Sequence, residues 1–293
     1  MRLILVHGIN QETLGGNTLR STWLGHIRAC LGRDESWPLD RLSRVDMPFY
    51  GDTLFELTQN PTDADAVAQG AGSGSDDFAA FAAPALSEMA MKAGADRDSV
   101  SMDSDGVAEA QGAGMHKTWL KTAARALEAI SPLKGRLALG LLGQAHAYLR
   151  RPHVAQAVDA LVRPAFEDDE PAIIVAHSLG TVVSYKLLRE FAEEGRPRQC
   201  PLFLTLGSPL GIESIRRTFP LPRGRPEGVA RWVNGADPED FVALRPELTA
   251  ATFGSGIDNI PDLDNGHEDP HGIGGYLGQK AIADLVAAAI GGA

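Results

Sequence analysis

Cysteine is nearly missing from this chain, with Cys30 and Cys200 the only two in 293 residues. Two thiols cannot staple a fold of this size, and their spacing suggests no metal site, so both read as ordinary reduced side chains. Long apolar runs are missing too. The N-terminal stretch Met1-Arg2-Leu3-Ile4-Leu5-Val6-His7 is far shorter than the core of a signal peptide or a membrane helix. It reads as a strand, and the expectation is a cytoplasmic protein without a membrane span. Positive charge is also in deficit: 27 Lys and Arg stand against 38 Asp and Glu, a formal net charge of −11. That field repels nucleic acid, and the pairs Arg150-Arg151 and Arg216-Arg217 read as solvated charges rather than a binding patch. No glycine-rich phosphate loop with Lys and Ser or Thr follows a strand, and Gly8 does not begin Gly-x-Gly-x-x-Gly, which removes nucleotide binding.

What is present is the balance of a globular protein, 44% hydrophobic and 22% charged. The length suits a single α/β domain over 1–293 with an insertion. Runs rich in branched aliphatics stand before glycine-containing turns at 3–6, 173–176, 202–206 and 229–233, the pattern of parallel strands buried on both faces. A weaker run at 41–49 ends in a break at Pro48. Helical patterns alternate with these runs. After Ser178, Val182, Val183, Leu187, Leu188 and Phe191 recur at helix-face spacing with Gly195 as a stop, and 281–290 reads as a terminal helix with Ile282, Leu285 and Val286 inward. The fold class is therefore α/β, a mainly parallel central sheet flanked by helices.

Two stretches interrupt the alternation. Residues 58–114 are rich in Ala, Gly, Ser and Asp with Phe78 and Phe81 as the only aromatics, which predicts a flexible insertion that buries little. Residues 117–163 carry helical runs at 119–130, 133–149 and 154–162, a helical insertion before the run at 173–176 that either caps a site or packs on the sheet.

The strongest local signal is Ile173-Ile174-Val175-Ala176-His177-Ser178-Leu179-Gly180, a buried strand that ends in a serine between small residues and runs into a helix. A tight strand-to-helix turn lifts such a hydroxyl out of the sheet, and the close backbone requires small residues two before and two after it. An N-cap serine has no such requirement, so Ser178 reads as a nucleophile.

On these residues the chain resembles the α/β-hydrolase superfamily, in particular its lipase- and esterase-like members, over most of its length outside the insertion. Ala176 stands where the common Gly-x-Ser-x-Gly form has its first glycine. The segment Val6-His7-Gly8-Ile9-Asn10 is similar to the His-Gly segment after an early strand in that family. The resemblance implies oxyanion donors at the backbone N–H groups of Leu179 and Ile9, with His7 structural. It also implies the order nucleophile, acid, base. The base is then His271, in Asp269-Pro270-His271-Gly272-Ile273-Gly274-Gly275-Tyr276-Leu277, whose ending resembles the family's; His267 is the alternative, read as part of a solvated acidic loop. The acid is Asp240, which with Phe241 and Val242 looks like an Asp-x-Val signature, and Asp237 is its alternative, with Glu239 outward. Ser208, in Leu206-Gly207-Ser208-Pro209, reads as a shaping residue. The run Asp262-Leu263-Asp264-Asn265-Gly266 does not keep the spacing of a calcium loop, so no metal is expected. The implied activity is hydrolysis of a small-molecule or lipid ester by a Ser-His-Asp acyl-enzyme mechanism without a cofactor. A thioesterase, peptidase or acyltransferase on the same fold, or a catalytically silent binding scaffold, remain alternatives.

Overall fold

The computed structural model describes residues 1–35, 37–58, 74–96 and 113–292. Its strands are β1 (Arg2–Val6), β2 (Arg44–Asp46), β3 (Ala172–His177), β4 (Phe203–Leu206), β5 (Trp232–Gly235) and β6 (Asp258–Ile260). They form one open sheet in the order β2-β1-β3-β4-β5-β6, and each pairing is parallel. The helices, in chain order, are α1 (Gly16–Glu35), α2 (Gly51–Thr58), α3 (Gly74–Lys92), α4 (Ala113–Ile130), α5 (Pro132–Arg150), α6 (Pro152–Glu167), α7 (Leu179–Glu193), α8 (Glu213–Arg216), α9 (Ile273–Leu277) and α10 (Lys280–Gly291).

Every residue of β1, β3, β4 and β5 is buried, which is why β1, β3 and β4 read as mainly apolar runs rather than alternating ones. Register sorts the side chains into two faces. Leu3 pairs with Ile173, Leu5 with Val175, Val175 with Leu204 and Leu204 with Val233, so these residues share one face. Trp23, Ile27 and Leu31 of α1 and Ile282, Val286 and Ile290 of α10 complete the same packed cluster. The opposite face carries Phe203 and Trp232, ring centroids 5.1 Å apart, with Tyr185 of α7 at 5.2 Å from Trp232. At the start of β1 the Arg2 guanidinium is buried, and it donates to the carbonyls of Ala165, Asp168 and Glu170 at 2.9, 3.0 and 3.1 Å. The charge is tolerated there because its two terminal nitrogens are hydrogen-bonded and the carboxylates of Asp46, Asp168 and Glu170 lie within 4 Å.

The sheet order fixes where a site can form. From β1 the chain goes first to one side (β2) and later to the other (β3), so the carboxyl ends of β1 and β3 flank a topological switch point, where open α/β sheets leave a crevice.

The described chain divides into two compact units. One comprises Met1–Asp52, Gln156–Gly211 and Phe219–Ala293 and holds the sheet; the other comprises Thr53–Ala155 and Ile212–Thr218 and is helical. Within the second, Phe78, Ala79, Ala82, Ala83, Leu86 and Met89 of α3 are buried, and Ser131 caps α5 by accepting from the Lys134 amide at 3.3 Å.

Two expectations differ from what is observed, and one strand was not expected at all. Residues 74–92 lie within the stretch expected to bury little, yet they form α3 with a buried face, because alanines there let neighbouring helices approach closely rather than leaving the chain solvated. Residues 59–73 and 97–112 of that stretch lie outside the described residues. The run at 229–233 enters the sheet only at Trp232; Val229 instead makes an isolated parallel bridge with Cys200. The edge strand β6 has the sequence Asp-Asn-Ile and no buried residue, so no apolar run announces it. By contrast α7 ends at Gly195 as its sequence suggests: φ is 70°, the Gly195 amide donates to Ala192 at 3.0 Å and the Arg196 amide to Phe191 at 2.8 Å.

Candidate active site

Ser178 sits between β3 and α7 with φ 52° and ψ −128°, a conformation that L residues other than glycine rarely adopt. Such strain costs of order 1–3 kcal/mol and persists only where surroundings enforce it. The enforcement is visible. A Cβ on Gly8 would lie 2.7 Å from Ser178 Cβ, and a Cβ on Gly180 would collide with the carbonyl oxygens of Val6 and His7. Both positions therefore require glycine, since the ends of β1 and β3 touch at the turn. Ser178 occupies the N-cap position of α7, but its hydroxyl makes no capping bond, so the side chain does not serve the helix.

The hydroxyl pairs with the base loop. Ser178 Oγ lies 3.0 Å from His271 Nε2, and His271 Nδ1 lies 2.8 Å from Asp240 Oδ2. With the carboxylate ionised, Nδ1 carries the proton and donates to Asp240, which leaves Nε2 free to accept from the serine. All three residues are buried: Ser178 is 1% exposed, His271 7% and Asp240 0%. Asp240 Oδ1 accepts from the amides of Val242 and Ala243 at 2.9 and 3.3 Å, while Oδ2 also accepts from the Tyr276 hydroxyl at 2.7 Å. Burial alone would raise the pKa of this carboxyl. The His271 ring, the Tyr276 hydroxyl and the Val242 amide outweigh burial and hold it below the ordinary value.

Neighbouring groups fix the pair in place. His177 Nε2–H donates to the His271 carbonyl at 2.8 Å, and the two rings lie 4.7 Å apart. Burial, and then the adjacent His271 ring, push the His177 pKa down to about 3, so this imidazole is neutral. Gly207, at φ 56°, lies beneath the acid and base; a Cβ there would stand 2.9 Å from Asp240 Oδ2 and 3.1 Å from His271 Nδ1. His7 donates from Nδ1 to the Gly8 carbonyl at 2.8 Å, accepts at Nε2 from the Tyr50 amide at 3.2 Å and stacks on the Tyr50 ring. Burial pushes its pKa down to about 4, so it too is neutral and serves the loop after β1.

The other sequence candidates separate clearly. Asp237 accepts from the amides of Glu239 and Asn265, each at 2.6 Å, and so holds its own turn rather than a histidine. His267 is 88% exposed and pairs at 2.7 Å with Glu239, which raises its pKa. Ser208 Oγ lies 2.8 Å from Thr181 Oγ1, which donates at 2.7 Å to the Ser178 carbonyl, so it braces the elbow from behind. Leu179 is the first residue of α7, where a helix leaves its amides unpaired by intrahelical bonds, and Ile9 follows directly on Gly8, which touches Ser178. Sequence reasoning gave no role to Tyr276, His177 or Gly207. Tyr276 could have been singled out as the one hydroxyl-bearing aromatic between the base and the last helix.

Among the described residues no cluster of three or more His, Cys, Asp and Glu could hold a metal ion, and no helix is long and apolar enough to cross a membrane. Burial pushes the Cys200 thiol up to about 12, which makes it unreactive. A surface cavity of about 710 Å³ opens beside Tyr185, Arg189, Arg223 and Arg225, and none of Ser178, Asp240 and His271 lines it.

The fold and site define an α/β protein whose open parallel sheet brings a strained serine, a histidine and an aspartate into one hydrogen-bonded row at its switch point. Comparison of the chain with family models, with curated proteins and with solved structures finds no match.

Proposed function

We propose that this chain is a serine hydrolase of the α/β-hydrolase type that cleaves a carboxylic ester through an acyl-enzyme. The observation that carries the reading is the row Ser178 Oγ, His271 Nε2 and Nδ1, Asp240 Oδ2, with spacings of 3.0 and 2.8 Å, on a serine held at φ 52°. A free hydroxyl is a poor nucleophile, so the chemistry depends on removing its proton during attack. His271 Nε2 takes that proton as Ser178 Oγ bonds to the ester carbonyl, and Asp240 stabilises the imidazolium that results. The backbone N–H groups of Leu179 and Ile9 receive the charge that develops on the carbonyl oxygen. Collapse of the tetrahedral intermediate breaks the ester C–O bond, and His271 returns the proton to the departing alcohol. Water then attacks the acyl group with His271 again as base, releasing the acid and restoring the serine.

Substrates in this reading are small-molecule or lipid esters, and the steps require no cofactor. The test is turnover of p-nitrophenyl esters of graded chain length by the native protein and by Ser178→Ala. The expected outcome is ester hydrolysis that falls at least ~10³-fold in the variant. Equal rates in the two proteins would remove the proposal.

A further inference from the structure

Tyr276 lies outside the row described above, yet its hydroxyl reaches into it. The Tyr276 hydroxyl donates to Asp240 Oδ2 at 2.7 Å, and that oxygen is the one that accepts from His271 Nδ1 at 2.8 Å. The same hydroxyl accepts from the Asp237 amide at 3.1 Å, so its single proton has one direction left to point. Tyr276 is fully buried in α9, five residues beyond His271, and its ring edge packs near Gly207 beneath the acid and base.

Resting on the serine hydrolase reading, we propose that Tyr276 is a positioning residue that sets both the orientation and the proton affinity of Asp240, and through it the basicity of His271. Oδ1 of Asp240 is held by the amides of Val242 and Ala243, which leaves rotation of the carboxylate to be stopped at Oδ2. The phenol stops it there. It also draws electron density from the oxygen that faces the imidazole, so His271 Nδ1–H meets a weaker acceptor than an otherwise unpaired buried carboxylate would offer. A weaker acceptor stabilises the imidazolium less, so loss of the phenol tips the Asp240–His271 pair toward the imidazolium. Burial, followed by the nearby Asp240 and Asp237 carboxylates, raises the pKa of Tyr276, so the group remains a donor across the working range. The titratable groups facing this carboxylate are His271, Tyr276 and His177, with Asp237 beyond the tyrosine.

The test is the pH profile of kcat/KM for three proteins: native, Tyr276→Phe, and a protein carrying 3-fluorotyrosine at 276, whose hydroxyl is a stronger donor. The acid limb is expected to move up by roughly 0.5–1 pH unit in Tyr276→Phe and down in the fluorinated protein. The low-field proton resonance of His271 Nδ1–H, read at a pH where the ring is protonated, is expected to move downfield in Tyr276→Phe; this readout needs no turnover. An acid limb and resonance that stay put in both variants, with only thermal stability changed, would overturn the proposal. Ser178→Ala separates the two readings. If it is inactive while Tyr276→Phe leaves the limb unmoved, the tyrosine inference alone fails; if it retains native turnover, the hydrolase reading fails first.

Discussion

In the proposed hydrolase, Ser178, His271 and Asp240 carry the chemistry, and the surroundings of the site limit what can replace its residues. Asp240 is 0% exposed and holds the His271 tautomer through Nδ1, so an amide that cannot play the same acceptor role should leave the geometry standing but the tautomer wrong. We expect Asp240→Asn to lower kcat by about 10³–10⁴-fold with a circular dichroism spectrum like that of the native protein. A loss under tenfold would mean that the carboxylate does not orient the base. Gly8 is limited by space rather than charge. A methyl group there meets Ser178 Cβ at 2.7 Å, closer than real Cβ contacts come, so β1 and β3 must part or the serine must leave its strained φ. Gly8→Ala should therefore cost about 1–3 kcal/mol of stability and most of the ester turnover, measured by urea unfolding and steady-state kinetics. Native turnover in this variant would show that the tight elbow is dispensable.

At the scale of elements, what could be read from the sequence depended on how a segment earns its burial. β1, β3 and β4 are covered on both faces, so apolar residues dominate them and the runs announce themselves. β6 is an edge strand with Asp258, Asn259 and Ile260, stabilised by its ladder to β5 and by the Asn259 side chain, which accepts from the Leu248 amide at 2.8 Å; neither leaves a periodic apolar trace. α3 is the opposite failure. Its alanines look like low-complexity filler in composition, and only packing against other helices turns them into core. In the site, Ser178 was legible because the small residues around it are required by the turn. His271 and Asp240 needed the chain order of a family resemblance, and each had a rival (His267, Asp237) that only geometry separates. Tyr276 and His177 act through hydrogen bonds to residues 36 and 94 positions away, which no local pattern encodes. Gly195 offers a clean test of an element boundary, since a Cβ there meets nothing within 4 Å and only its φ of 70° is at stake. Gly195→Ala should lower stability by ~1 kcal/mol and leave kcat unchanged, seen as a lower urea midpoint. An unchanged midpoint would mean that α7 does not end in the left-handed cap.

Across the whole molecule, buried neutral histidines link acid stability to the site. In the folded chain the His7 and His177 pKa values are pushed from 6.5 down to about 4 and about 3. Between those values and 6.5 the unfolded chain binds protons that the folded chain refuses, so stability is intact above pH 6.5 and declines as the pH falls toward 4 and then 3. Each histidine contributes up to ~1.4 kcal/mol per pH unit in that window. The lowered carboxyl of Asp240 acts only further down, its contribution present above the unfolded carboxylate range and lost as the pH falls below ~4. Urea midpoints measured from pH 7.5 to 4.5 should fall, and the slope should be shallower in His177→Gln; equal slopes would mean that His177 is not buried neutral.

In the proposed reaction one hydroxyl, lifted from the end of β3 and paired with His271, is the group that attacks. Intact-protein mass spectrometry after brief reaction with a fluorophosphonate, followed by peptide mapping, tests it most directly. One adduct is expected, on Ser178, absent from Ser178→Ala and formed far more slowly in His271→Ala. An adduct on another residue, or none on the folded native protein, would contradict it.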